Sequence, residues 1–332
     1  MVCKVTGRTD VGLVRPGNED SLHIDMDNRV FAVCDGMGGA QAGEVASMTA
    51  SDILNLSFNH FQKELLEDST LIFDRPMPHS GEILIKAIRL ANREIHNQAH
   101  SDSALAGMGT TVVAVALESD FMSIAHVGDS RAYLISERDL IPLTVDHSWV
   151  QELQDSQGIR LQDAQMSVGR NVITRALGVR KDVEVDYRLV KVKPGDMFLL
   201  CSDGLCAYAD DDEIFDVVKR GEGDIEKIAD LLVKLANDRG GMDNVTVIVM
   251  KIERVTESPV QAAEMVTIPS ENPQQLESED QWLARVKQKQ EELEVASIEN
   301  DNHSSTKKST LIAIFAAFLI LVVVIIYLVA GK

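Results

Sequence analysis

Four aspartates in this chain stand where an apolar run meets a turn. VFAVCDGMGGAQAG carries Asp35 out of five apolar residues into a glycine-rich stretch, and MFLLCSDGL does the same for Asp203. AHVGDSRAYLI sets Asp129 in a Gly-Asp-Ser turn between two apolar segments, and GGMDNVTVIVM places Asp243 just before another. Each alone has an ordinary explanation, since Asp is common in turns and helix caps. Four that abut strands reading as core need more than turn preference. If those strands share a sandwich, their ends bring the carboxylates together. Like charges packed closely are costly unless a cation neutralises them. All-oxygen sites suit Mg²⁺, Mn²⁺ or Ca²⁺. His23, His126 and His147 are scattered without zinc-site spacing, and DMDN at 25–28 does not continue as an EF-hand loop.

A nucleotide-binding loop is excluded by spacing. A dinucleotide fingerprint starting at Gly36 needs glycine where Gln41 stands, and a P-loop starting at Gly38 needs lysine where Glu44 stands. Metal site and capping turn both remain open for VFAVCDGMGGAQAG taken alone. VRPGNEDS adds Arg15 with the carboxylate pair Glu19-Asp20. Arginine is the side chain best shaped to grip phosphate oxygens bidentately. A surface salt bridge is its ordinary explanation; beside a carboxylate-held metal, phosphate becomes the sensible substrate.

The elements that would position these residues are legible in outline. Strands are expected at 29–34, 110–117, 121–127, 132–135, 197–201 and 244–252, and helices at 40–66, 81–99, 148–157, 211–220 and 224–239. Ile225, Ile228, Leu232 and Leu235 fall on one helical face, with Gly240-Gly241 as a stop. The strands come mostly in adjacent pairs, which predicts an α+β fold of antiparallel sheets covered by helices rather than a regular β-α-β array.

The 332 residues carry 32 Lys+Arg against 52 Asp+Glu, a net charge of −20. That weighs against nucleic acid as a partner, because its phosphates are bound by cationic neutralisation. The four cysteines form no C-x-x-C pair, and Cys34 and Cys201 sit inside apolar runs, as buried reduced thiols do. Residues 255–306 are rich in acid, poor in aliphatics and interrupted by Pro259, Pro269 and Pro273. They read as a linker or stalk after a globular part at 1–254, with 278–296 able to form an exposed helix. LIAIFAAFLILVVVIIYLV, from Leu311 to Val329, holds nineteen residues without a charge. A helix of that length, at about 1.5 Å per residue, matches a hydrocarbon core of roughly 30 Å. Residues 307–332 are therefore expected to be a single-pass C-terminal membrane anchor, with Lys307 and Lys308 leaving the rest of the chain in the cytoplasm.

Taken in order, RPGNEDS, VCDGMGG, GMGTT, HVGDSRAY, LTVDHS, ITRALG, CSDGL and MDNVTVIV resemble the metal-dependent protein phosphatase family, type 2C, and most of all its bacterial Ser/Thr phosphatases. The resemblance spans roughly residues 6–252. It implies an α-β-β-α sandwich of two antiparallel sheets flanked by helices. It also implies two Mn²⁺ or Mg²⁺ ions bridged by Asp35. The Gly36 carbonyl would sit on one ion, while Asp203 and Asp243 complete the other. Glu19 and Asp20 would act through metal-bound waters, and Arg15 would hold the phosphate. A third, weaker ion of bacterial members would use Asp129, with Asp203 shared. The reaction so implied is hydrolysis of phosphoserine and phosphothreonine on proteins by a water bridging the two ions, opposing Ser/Thr kinases. Met37 stands where some relatives carry a histidine proposed as the acid, so that role is unassigned, and His126 and His147 read as structural. Two other readings fit less well. A docking module without activity would need lost ligands, whereas Asp35, Asp203, Asp243 and Arg15 are all present. A phosphohydrolase with an aspartyl nucleophile would need Asp-x-Asp, and Met37 occupies the second position.

Overall fold

The computed structural model describes residues 1–38, 42–60, 77–157, 172–259 and 262–270. Among these residues twelve strands form two sheets in which every pairing is antiparallel. The first sheet has the order β1 (Val2–Asp10), β11 (Val245–Arg254), β10 (Met197–Cys201), β7 (Arg131–Ile135), β8 (Leu140–Pro142). The second runs β12 (Ala263–Ile268), β9 (Val185–Lys191), β6 (Phe121–Val127), β5 (Val112–Glu118), β3 (Val30–Met37), β2 (Asp20–Asp25), with the two-residue β4 (Gly109–Thr110) beside β3. Helices α1 (Ala42–His60) and α2 (His79–Ser101) contact the second sheet. The first sheet is covered by α4 (Asp203–Cys206) and α6 (Ile225–Asp238), with α5 (Asp211–Arg220) packed on α6. Helix α3 (Trp149–Gln157) follows β8. The expected α-β-β-α sandwich is the one observed.

The period-two alternation of a strand explains why the central segments read as unbroken apolar runs. In β11, Val245, Val247 and Val249 join the core beneath α5 and α6, while Ile248, Met250 and Ile252 join the core between the sheets. Leu199 and Cys201 divide from Phe198 and Leu200 in the same way along β10. Phe31 and Val33 of β3 reach the layer between the sheets, where Val113, Val115, Met122 and Ile124 also lie. Both faces are dry, so neither needs polar residues. Cys34 and Cys201 are buried free thiols, as expected, and Cys3 is another.

The second sheet continues past Arg254, where the globular part was expected to end. Ile268 is buried, β12 pairs with β9, and the Arg89 guanidinium donates to the Pro269 carbonyl. The boundary at 254 was drawn from charge and proline content, and β12 itself is mostly exposed, as an edge strand is. The linker expected to start at 255 therefore begins with a sheet strand. Strands β1, β2, β8 and β9 were also not foreseen. Among the described residues no helix is long and apolar enough to cross a membrane. The expected span at 311–329 and the exposed helix at 278–296 lie outside the described residues.

Candidate metal centre

Asp20 and Asp35 are cross-strand partners in β2 and β3, so their side chains share one face of the sheet. That face is the one on which Phe31 and Val33 line the layer between the sheets. Asp35 thus stands at the end of the layer, facing the other sheet. Its backbone is fixed by the GMGTT segment. Thr111 N–H and the Thr110 hydroxyl both donate to the Asp35 carbonyl at 2.9 Å, and Asp35 N–H donates to Thr111 Oγ1 at 3.2 Å. Gly36 comes next because nothing larger fits: a Cβ there would run into the Gly43 and Glu19 carbonyl oxygens.

The first sheet delivers the opposing groups. Asp203 opens α4 directly after β10, and Asp243 lies two residues before β11 begins. The Asp35 and Asp203 carboxyls meet across the sandwich within hydrogen-bonding reach. Ser202 ties this pair to its neighbour, donating from Oγ to Asp20 Oδ2 at 2.8 Å while accepting from Thr246 N–H at 3.0 Å. Asp129, in the β6–β7 turn, is buried, and its Oδ1 has no hydrogen-bond partner. A cleft of 720 Å³ opens on the Asp129–Asp203 side, between that turn, α3 and the start of α5.

Burial is the largest cause that pushes these carboxyls upward, and their mutual repulsion adds to it. Asp20 and Asp129 rise to about 7 and Asp203 to about 6, against an ordinary 3.8. Asp35, surrounded by Asp20, Asp203 and Asp129, is pushed well above the carboxylate range. Four acids that resist ionisation together, with one buried oxygen unpartnered, fit an oxygen-donor cation site. The donor chemistry fits Mn²⁺ or Mg²⁺ and leaves nothing soft enough to favour zinc.

Arg15, half exposed, donates from Nη2 to Asp243 Oδ2 at 2.7 Å, so the salt bridge that was its ordinary explanation forms at the edge of the site. Glu19 packs its carboxyl against Gly43. The structure therefore brings Asp20, Asp35, Asp129 and Asp203 into one cluster, with Asp243, Arg15 and Glu19 around it. One residue that sequence reasoning missed organises this edge. Asn244 accepts from Glu19 N–H at 2.8 Å and donates to the Val11 and Gly17 carbonyls, each at 2.9 Å, pinning the loop that carries Arg15. Its signal was its place beside Asp243, inside a motif read only for the aspartate. A second grouping, His126, His147 and Asp186, places three ligand-type atoms within 4.8 Å of one another.

A profile of the protein phosphatase 2C family matches residues 8–245. The serine/threonine phosphatase Stp of Listeria monocytogenes is 38% identical over 247 residues, covering 74% of this chain and 94% of that protein. PstP of Mycobacterium tuberculosis is 36% identical over 255 residues, covering 76% of this chain and 45% of that protein. The crystal structure of the M. tuberculosis phosphatase PstP superimposes with a TM-score of 0.66 at 35% identity, covering 76% of this chain and 100% of that one. A structure of the PstP catalytic domain in complex with two manganese ions gives a TM-score of 0.63 at 34% identity, over 76% of this chain and 99% of that one. The chain belongs to the protein phosphatase 2C family and is a serine/threonine protein phosphatase.

Proposed function

We propose that this protein removes phosphate from phosphoserine and phosphothreonine on proteins with two Mn²⁺ or Mg²⁺ ions, at the cytoplasmic face of a membrane and against Ser/Thr kinases. Asp35, the Gly36 carbonyl, Asp203 and Asp243 are the groups we assign to the two ions. Asp129 and Asp203 would hold a third, and Glu19 and Asp20 would act through metal-bound waters. The observation that carries this reading is the convergence of buried carboxylates whose protons are hard to remove without a cation. When bound, such ions supply an activated water and neutralise charge on phosphate oxygens. Arg15 is the cationic side chain at the rim, placed to exchange its ion pair with Asp243 for two phosphate oxygens. Ser202, Thr110, Thr111 and Asn244 hold the acids and the Arg15 loop in register, so little reorganisation is left for the moment of reaction. The leaving oxygen finds no histidine at position 37; the Met37 side chain has no proton to give.

The membrane face rests on the uncharged stretch at 311–329, and the opposing kinase on the reaction itself. We take the catalytic unit to precede an acidic linker and that tail. The test is phosphate release from a phosphothreonine peptide by the full chain in mild detergent. Release should require Mn²⁺ or Mg²⁺ and stop with EDTA; turnover that persists after complete chelation contradicts the assignment.

A further inference from the structure

The His126–His147–Asp186 grouping has ligand-type atoms but not the electrostatics of a metal site. Arg175 Nη1 already lies there, 2.8 Å from Asp186 Oδ1 and 3.1 Å from His147 Nε2. His147 Nδ1 is also engaged, accepting the Gly128 N–H at 3.0 Å. A backbone amide can only donate, so Nδ1 must present its lone pair. The ring proton of the neutral imidazole is then on Nε2, which faces Asp186 Oδ2 at 3.3 Å, and Arg175, which can only donate, bonds the Asp186 carboxylate rather than the ring. Burial alone would raise the Asp186 carboxyl, but His147 and the Arg175 guanidinium hold it well below the ordinary range, an acceptor throughout. One tautomer of His147 is thereby selected.

What that tautomer holds is the turn carrying Asp129. Gly128 has φ +111°, in the region that side-chain-bearing residues avoid, and a Cβ there would collide with Thr111. His147 grips this residue twice, because its own N–H donates to the Gly128 carbonyl at 3.0 Å. His126 stacks on the ring at 4.7 Å between centroids and 16° between planes, with its Nε2 against the Val145 carbonyl. On the other side of the turn Arg131 forms a two-pronged pair with Asp146, at 2.8 and 2.7 Å. LTVDHS is thus wrapped around HVGDSRAY, and the next residue after the gripped glycine is Asp129.

We propose that His147 is a positioning residue for Asp129: the Gly128 amide and the Asp186 carboxylate fix its tautomer, its Nδ1 fixes Gly128, and so it sets the affinity of the third, weaker cation. The proposal rests on the metal assignment above and adds a dependence of that site on a ring nitrogen that never touches the ion. Groups that orient ligands from behind typically change metal affinity by roughly 10–100-fold.

Calorimetric titration of the full chain in detergent with Mn²⁺ separates the possibilities, using His147→Asn, His147→Gln and Asp186→Asn. Asparagine puts an acceptor oxygen where Nδ1 was; glutamine puts an amide where Nε2 was and leaves Gly128 without an acceptor. Asp186→Asn places an amide that can donate to Nε2, which favours the tautomer with a proton facing Gly128. The expected result is two tight sites unchanged in all variants. The weak site should stay within about twofold of wild type in His147→Asn and be roughly tenfold weaker in the other two. Equal weak-site affinity in the Asn and Gln variants overturns the proposal, as does loss of the tight sites along with the weak one. Wild-type protein with two tight ions and no weaker one overturns this proposal alone, whereas wild-type protein that binds no Mn²⁺ removes the metal assignment beneath it.

Discussion

Replacing Asp35 or Asp203 with asparagine keeps the shape of the side chain and removes an acid whose ionisation the metal-free fold resists. Two consequences of opposite sign follow. Phosphate release should fall about a hundredfold or more, since a misplaced ion forfeits several kcal/mol of charge stabilisation. The metal-free protein should become more stable, by roughly 0.5–2 kcal/mol, because relieving a strained functional site commonly does so. Thermal unfolding in EDTA measures the second effect, and a lowered midpoint in both variants contradicts the repulsion argument. The same acids set a pH dependence. Asp20 and Asp129 release protons near 7 in the fold but near 3.8 when unfolded. Between those values the folded state binds more protons than the unfolded one, so metal-free stability falls as pH rises from about 4 to about 7; below that window both states are protonated and these groups contribute nothing. Added Mn²⁺ should therefore raise the midpoint more at about pH 7.5 than at about pH 5, and Asp203→Asn should flatten the metal-free slope.

At the level of elements, legibility followed burial. Strands β3, β5, β10 and β11 are dry on both faces and announced themselves as apolar runs. β1 and β2 mix buried with half-exposed residues and include Lys4, Arg8, Asp20 and Asp25, so no run marks them. β12 is an exposed edge within an acid-rich stretch, and composition disguised it. The site divides similarly. Asp35, Asp203 and Asp243 were visible because charge at the end of an apolar strand needs a reason. Asn244, Ser202 and Thr111 act by bonding backbone or a neighbour, and no spacing encodes that. The strand at the edge yields a test. A chain ending at Arg254 loses β12, exposes the edge of β9 and uncovers its partners to Ile268, whose burial is worth about 1.5–3 kcal/mol. It should melt several degrees below a chain ending at 270 and aggregate more readily. Equal melting temperatures contradict a structural role for β12.

For the whole molecule, a net charge of −20 repels phosphate except where cations are concentrated, so on the proposed reading the ions held by the aspartates, with Arg15, would draw a phosphoprotein to that place. Attachment through residues 311–329 predicts that the full chain stays with membranes after an alkaline wash, and that a chain lacking 307–332 is released. Retention of both contradicts the anchor. The central claim is that acids from two sheets share divalent ions at one end of the sandwich. Anomalous scattering from Mn²⁺-soaked crystals locates those ions directly. Two peaks are expected, each within about 2.5 Å of carboxylate or carbonyl oxygen from Asp35, Gly36, Asp203 or Asp243, with Asp35 touching both. Ordered Mn²⁺ found elsewhere, with none near Asp35, contradicts it.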